Sequence, residues 1–476
     1  MAVALPLMVS TLSYSLMQFC DRVFLTWSSP TSVAAAMPAS VMAWTLLAFP
    51  LGVAMYTGVF VAQYFGANQS RRVGEVIWHG LILGSLFIPL FLCAIVWPRW
   101  IFEWSGHPAV LVDQEASYLS YVSWGSIAQV HAGVLAGFFV GQARTRVVMI
   151  VDVSSALLNV LLDWLLIFGF SIGDLITCQP LGIAGAALAT SLALGVKLMV
   201  YLALVLQKRE RQRFGMTRPI RLHTDLVWRM LRFGSSNGWQ MLIECLGIAV
   251  FSLMIGQLGE ELAAASTLAI SVNMLVFVPV WGLSTAVSTL VGQQIGKGQP
   301  ALAARATWSG VVIGLVYTSL FAALYLGAPD VFLIGHDAAG PQIAGISQLV
   351  RQLLVFVAIY CLFDAIQIVF VGALKGAGDV RFVVISSLVC SGLFVAAGLI
   401  GQNLLPDPLA KLYGWWGALT GWVILLTVVY SARFLQGRWK QCRVIETGLT
   451  GPVAADPSSP GPGPGVAGEP AGSGPG

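Results

Sequence analysis

Charged side chains are scarce in this sequence. Of its 476 residues, 57% are hydrophobic and only 10% are charged, and the mean hydropathy is +0.82. A soluble domain of this length carries roughly 25% charged residues. The composition therefore excludes a soluble protein and indicates an integral membrane protein. The net charge of +4 gives no indication of a nucleic-acid partner.

Motifs for metal, disulfide or enzyme chemistry are also missing. The seven cysteines show neither CxxC nor Cys/His metal spacing, so they are expected to be small core residues. HExxH and paired histidines are absent, which argues against a membrane-embedded enzyme, and no cofactor is expected. The N-terminus becomes apolar at Ala2 without a basic segment. We expect a spanning helix there, not a cleaved signal peptide.

Long apolar runs dominate the rest of the chain, and twelve of them are long enough to span a bilayer. They lie at about 2–27, 33–63, 73–97, 115–141, 147–170, 182–206, 227–257, 262–294, 302–327, 343–373, 382–403 and 412–435. The predicted fold class is an all-α integral membrane protein with twelve transmembrane helices.

The loops between these runs divide by charge. One set is basic and contains Arg71, Arg72, Arg144, Arg146, Lys297, Arg305, Lys375 and Arg381. The other keeps only Arg99 and Lys411, among acids that include Glu103, Asp113, Glu260, Asp330 and Asp407. Basic loops stay in the cytoplasm, so both termini are predicted to be cytoplasmic and the protein to be a multi-pass protein of the bacterial inner (plasma) membrane.

The chain carries an internal repeat. Gln63 and Gly66 match Gln293 and Gly296, and similar pairs recur at offsets that drift from 229 to 232 residues. Six helices per half give both halves the same topology, which is a parallel repeat. The predicted organisation is an N-terminal lobe (1–206), a basic cytoplasmic linker (207–224), a C-terminal lobe (225–436) and a disordered Gly/Pro-rich tail (437–476). The linker's charge also fits an RNA or anionic-lipid patch, although topology alone explains it.

Four carboxylates lie inside the apolar runs, namely Asp21, Asp163, Glu244 and Asp364. A charge at the bilayer centre costs at least about 2.5 kcal/mol, so such residues usually face a cavity and carry function. Each acid has polar companions at helical spacing: Gln18, Asn159, Gln240 and Tyr360. Such oxygen-rich clusters suit a hard cation or a proton relay. They also suit hydrogen bonding between helices, and for the amides this simpler role is the more common one.

The chain resembles the MATE (multidrug and toxic compound extrusion) family, most closely its bacterial NorM-type branch, over about residues 1–436. The motifs that carry the resemblance are Pro6 fifteen residues before Asp21, Gln63–Asn68, Asn159–Asp163, Gly182–Thr190, Gln293–Gly296, Tyr360–Gln367 and Gly372–Asp379. Each motif is weak alone, and their order over twelve spans makes them specific together.

The resemblance implies an antiporter, coupled to Na⁺ or H⁺, that exports organic and often cationic compounds by alternating access. It further implies a C-lobe cation site at Glu244, Tyr360 and Asp364, and Pro6 at a bend of the first helix. An N-lobe cation site would consist of Asp21, Asn159, Asp163 and Thr190. This chain matches both patterns, so the resemblance leaves open which lobe holds the coupling ion.

Other functions fit less well. A flippase of lipid-linked precursors is the main alternative, but it should need more helices or a strongly basic cleft. A receptor or structural protein would not explain acids in both lobes. The expected partners are therefore small organic cations and the lipid bilayer, and a monomer is expected. The repeat places Val395 opposite Asp163, so the lobes are predicted to share a scaffold but not a site.

Overall fold

The computed structural model describes residues 1–104, 108–172, 176–217, 223–332 and 341–446. The α-helices are α1 (Ala4–Ser28), α2 (Pro30–Met55), α3 (Thr57–Gly66), α4 (Ser70–Ser85), α5 (Ile88–Val96), α6 (Pro98–Trp104), α7 (Ala109–Gly141), α8 (Thr145–Phe168), α9 (Ile183–Val205), α10 (Lys208–Arg213), α11 (Thr224–Gly256), α12 (Glu260–Gly296), α13 (Pro300–Gly327), α14 (Pro341–Ala377), α15 (Val380–Leu404) and α16 (Pro408–Leu435). Short 3-10 helices cover Pro329–Phe332 and Arg438–Gln441.

The helices confirm the predicted fold class. Within the described residues, eleven helical stretches are long and apolar enough to cross a membrane, with α2–α3 and α4–α5 each forming one stretch. Helix α1 is the twelfth; it has 25 residues but carries polar side chains such as Gln18 and Asp21, which lower its hydropathy. The twelve form two six-helix repeats of the same topology.

The sequence did not predict a hairpin between α8 and α9. Strand β1 (Phe170–Ile172) pairs antiparallel with β2 (Ile176–Cys178). The predicted fifth span therefore ends two residues early, at Phe168. The hairpin is too short to leave a periodic signal in the sequence.

The two halves meet along α1 and α12 and along α2 and α11, and again where α3, α7, α12 and α14 end. We call this last region the basic end, because its loops carry the Arg- and Lys-rich set defined above. A Cβ at Gly66 would lie 2.9 Å from the carbonyl carbon of Gln293, and one at Gly296 would lie 3.0 Å from that of Gln63. The two contacts are reciprocal, so each half inserts a glycine against the backbone of the other. Only glycine permits this approach.

Two basic side chains within the spans form ion pairs. Lys197 of α9 forms an ion pair with Asp152 of α8 (Nζ–Oδ1 2.8 Å), and Arg351 of α14 pairs with Asp330 (2.6 Å). Asp152 also accepts hydrogen bonds from Ser10 of α1 and, at 3.0 Å, from Tyr201. One carboxylate thus connects α1, α8 and α9.

The predicted linker and the start of the predicted tail pack against the bundle. In the linker, α10 pairs Glu210 with Arg144 (2.8 Å), and the buried Phe214 ring packs against Phe138. The tail boundary predicted at residue 437 is nine residues too early, because the compact unit extends to Ile445 and buries Trp439. An isolated tryptophan gives no periodic signal for such packing. The rest of the predicted tail lies outside the described residues.

Candidate functional site

The two acids of the first half come together between α1 and α8. Asp21 is 6% exposed and Asp163 is fully buried, and they lie close enough for their charges to interact. Among the described residues, no donor reaches Oδ1 of either side chain. Buried carboxylates with unused acceptor oxygens are chemically suited to a proton or a small cation.

Asn159 and Thr190 complete this cluster, as predicted from the sequence. With its nitrogen toward Asp163, the Asn159 amide donates to Oδ2 (2.9 Å) and accepts from the Thr190 hydroxyl (3.2 Å). We adopt this orientation because the opposite one places like groups together. Gly185 allows the close contact between helices that aligns these residues, since a Cβ there would lie 2.7 Å from the Leu166 carbonyl carbon.

Two tyrosines extend the first-half cluster. Tyr14 of α1 accepts a hydrogen bond from Gln18 (2.9 Å). Tyr118 of α7 is buried, feels the charges of Asp21 and Asp163, and hydrogen-bonds to Ser40 (3.2 Å). The sequence did not indicate Tyr118, because a single tyrosine in an apolar helix has no distinguishing pattern.

The acids of the second half lie on α11 and α14, apart from the first-half cluster. Glu244 accepts a hydrogen bond from Gln240 (2.7 Å), and the Asp364 carboxylate feels the charge of Glu244. Tyr360 is buried one turn from Asp364 and feels its charge. The three predicted residues of the C-lobe site therefore share one environment.

A cation that the sequence analysis placed in a loop belongs to this second cluster. Lys375 lies in the last turn of α14, and its ammonium interacts electrostatically with Glu244. The prediction of a loop position was wrong because α14 continues beyond the apolar run to Ala377. Lys375 therefore offsets part of the acidic charge here, as Arg22 does beside Asp21 in the first half.

Neither cluster has the composition of a transition-metal centre. Across the part of the chain that the structure describes, no three His, Cys, Asp or Glu side chains converge on one point. Each cluster instead combines two carboxylates with amide, hydroxyl or phenol groups, which suit a proton or a hard cation. Pro6 lies in the first turn of α1, where proline costs no helical hydrogen bond. Its predicted conformational role stays a prediction.

Comparisons with known proteins agree with this arrangement. The MatE family model matches residues 6–165 and 238–399. The chain is 25% identical over 450 residues to the "Multidrug resistance protein NorM" of Photobacterium profundum, covering 93% of this chain and 95% of the relative. It is 28% identical over 393 residues to the "Probable multidrug resistance protein NorM" of Xanthomonas campestris, covering 79% and 81%.

Solved structures show the same fold. A structure titled "Outward-facing conformation of a multidrug resistance MATE family transporter of the MOP superfamily" aligns with a TM-score of 0.79 at 20% identity, covering 92% of this chain and 94% of the other. A MOP superfamily transporter from Pyrococcus furiosus, whose title reports a binding pocket of reverse polarity, aligns with a TM-score of 0.81 at 19% identity, covering 92% and 96%.

Proposed function

Because this chain belongs to the MatE family, we propose that it is a multidrug efflux antiporter that exports organic cations in exchange for Na⁺ or H⁺. The relatives named for multidrug resistance support efflux and do not favour the flippase alternative. The buried acids support cationic cargo, because a carboxylate in a low-dielectric site attracts positive charge far more strongly than one in water.

We further propose that the first-half cluster holds the coupling cation. The observation that carries this choice is that Asp21 and Asp163 each keep an unused oxygen within one buried cluster. Two carboxylates so close repel each other when both are ionised, so a bound proton or Na⁺ relieves the repulsion. Export would then require the arriving drug and the cation to favour opposite conformations.

The second-half cluster is a second candidate for the same role. Asp364 and Glu244 also share an environment in which their charges interact. Lys375 offsets part of that charge, as Arg22 does beside Asp21. In the described residues, however, neither Glu244 nor Asp364 keeps a fully buried oxygen without a hydrogen-bond partner. We therefore assign this cluster a contribution to substrate binding, as the acidic surface that an organic cation meets.

The mechanism we propose is alternating access with the basic end facing the cytoplasm. The bias of the loops supports this orientation and places both termini inside the cell. The reciprocal contacts of Gly66 and Gly296 support a closed basic end as one state of this cycle. Inward opening must separate these contacts.

The experiment is substrate efflux from proteoliposomes under an imposed Na⁺ or pH gradient. We expect Asp163→Asn to reduce gradient-driven transport by at least about tenfold, because it removes a charge that the cation must neutralise. Glu244→Gln should weaken substrate affinity while some coupling is retained. Asp407→Asn is the matched control, since Asp407 is an exposed helix cap whose role asparagine fills equally well.

The outcome separates the alternatives. Transport driven by Na⁺ at constant pH identifies Na⁺ as the coupling ion, and transport driven only by pH identifies H⁺. Normal coupled transport by purified, folded Asp163→Asn would refute the first-half assignment. Loss of coupling in Glu244→Gln alone would move the coupling site to the second half.

A further inference from the structure

The nine residues that follow the last spanning helix pack against the basic end. We call Gly437–Ile445 the strap. Gly437 turns the chain with φ +72°, and the Trp439 ring stacks on Phe434 with centroids 4.8 Å apart. The Trp439 indole donates to the Phe434 carbonyl (2.9 Å), and the side chain is fully buried. Trp439 therefore anchors the strap to the end of α16.

The far end of the strap inserts between the two halves. Val444 is 1% exposed, and its backbone N–H donates to Gln63 Oε1 of α3 (2.9 Å). Its carbonyl accepts from Arg229 of α11 (3.2 Å). Arg229 in turn donates to the Tyr64 hydroxyl (3.3 Å). The strap thus contacts a helix of each half through its backbone.

The turn after α14 is shaped to receive the strap. Gly378 has φ +103°, and a Cβ there would lie 3.0 Å from Val444 Cγ1 and 3.4 Å from the Arg443 carbonyl carbon. The next residue, Asp379, accepts two hydrogen bonds from Arg433 of α16 (2.7 and 3.2 Å). This ion pair fixes the turn beside the point where the strap begins.

Gln63 joins all three elements. Its amide nitrogen donates to the carbonyls of Gly376 (2.9 Å) and Ala377 (3.3 Å) at the end of α14. Its oxygen accepts from the strap. The side chain is fully buried, so moving α3 away from α14 would leave polar groups unpaired unless water reached them.

We propose that the strap is a latch that holds the basic end closed by positioning the Gln63 side chain. While the strap is seated, Val444 fixes the Gln63 amide in the orientation that binds α14. When the strap leaves, Gln63 loses the N–H that its oxygen accepts from, and the joint between the halves weakens. The consequence for transport rests on the proposed function, because only an alternating-access cycle requires this end to open. The latch itself does not rest on the proposed function.

Hydrogen–deuterium exchange of the purified full chain in nanodiscs tests the latch without any transport. Trp439→Ala should release the strap and accelerate exchange about tenfold, equivalent to about 1.4 kcal/mol, in peptides covering the ends of α3 and α14. Trp439→Phe keeps the stacked ring but loses the indole hydrogen bond, so its exchange should lie between those of the parent protein and Trp439→Ala. Peptides from the opposite end of the bundle should be unchanged in both.

A second pair of variants guards against general unfolding. Gln63→Leu removes both contacts of the joint and should accelerate exchange in the strap and in α14. Gln293→Leu removes the repeat-related bond to the Gly141 carbonyl (2.8 Å) and should leave the strap protected. Faster exchange confined to the strap in Trp439→Ala, with α3 and α14 unchanged, would overturn the proposal. So would uniformly faster exchange through the whole bundle.

The two proposals can fail separately. Altered exchange in a protein that moves no substrate would support the latch and refute the antiporter. Unaltered exchange in an active antiporter would refute the latch and support the antiporter. If both hold, Trp439→Ala should also change the rate of efflux without changing which ion drives it.

Discussion

The reciprocal glycine contacts between the two halves yield the most direct test of the fold. An alanine Cβ at position 66 would lie 2.9 Å from the Gln293 carbonyl carbon and 3.0 Å from its Cα. Carbon atoms prefer separations of about 3.5–4.0 Å, so α3 and α12 would have to move apart by about 0.6 Å or more. Overpacking of this size costs roughly 1–3 kcal/mol. Gly66→Ala should therefore destabilise the closed basic end by that amount.

Equilibrium unfolding in mixed detergent micelles measures this cost. Gly296→Ala should lose a similar amount, because a Cβ there would lie 3.0 Å from the Gln63 carbonyl carbon. Gly195 and Gly392 are matched controls, since both are helical and no atom of the described residues lies within 4 Å of a Cβ built on either. Alanine at the controls should be neutral or stabilise by up to about 1 kcal/mol.

Two results would contradict the predictions for Gly66→Ala and Gly296→Ala. If Gly66→Ala and Gly296→Ala unfold within about 0.5 kcal/mol of their controls, the halves do not meet through these glycines. A loss in only one variant would show that the contact is not reciprocal. Neither result depends on what the protein transports.

Two further predictions follow from charged groups. Asp152→Ala and Lys197→Ala should each destabilise by roughly 1–3 kcal/mol, and the double variant by clearly less than their sum, because each single change leaves one ion unpaired; additive losses in a double-mutant cycle would contradict this. Burial, reinforced by the Asp379 carboxylate and opposed by Arg433, raises the pKa of the Cys442 thiol. The rate of its alkylation by maleimide, followed by mass spectrometry, should therefore be slow at pH 7 and should increase toward alkaline pH as the thiolate forms. The rate should also be faster in Trp439→Ala. Equal rates in the parent protein and this variant would count against a seated strap.

The sequence predicted the spanning helices well, because a bilayer imposes a length and an apolar composition that a single segment reveals. What it missed depends on contacts between distant segments. The end of α14 at Ala377 lies beyond the apolar run, and its Lys375 is polar like a loop residue. Trp439 and Phe214 are buried only because other helices cover them.

The residues of the candidate sites also divide into those that a local pattern reveals and those that depend on contacts between distant segments. A carboxylate within an apolar run is a local signal, so the amino-acid sequence alone was enough to select Asp21, Asp163, Glu244 and Asp364. Their partners on other helices could not be selected in this way, except where a resemblance supplied them. Tyr118 is the clearest case: it feels the charges of both first-half acids, yet its neighbours in the sequence do not distinguish it.

The repeat explains why the basic end is symmetric while the acidic clusters are not. A contact that crosses the pseudo-two-fold axis is made twice by related residues, so a change in one copy disturbs a joint that both halves share. Gly66 on Gln293 and Gly296 on Gln63 are such a pair. Asp163 packs within its own half, and its counterpart Val395 could diverge without disturbing the joint.

A short segment follows each half of the bundle. Both fold back at the basic end: α10 and Phe214 follow the first half, and the strap follows the second. The first continues into α11 and is held at both ends by spanning helices. The second is anchored to the end of α16 by Trp439, and its far end is held by the backbone bonds of Val444. The strap donates the Val444 N–H to Gln63, one of the two repeat-related glutamines, and this contact suits it to act as a latch.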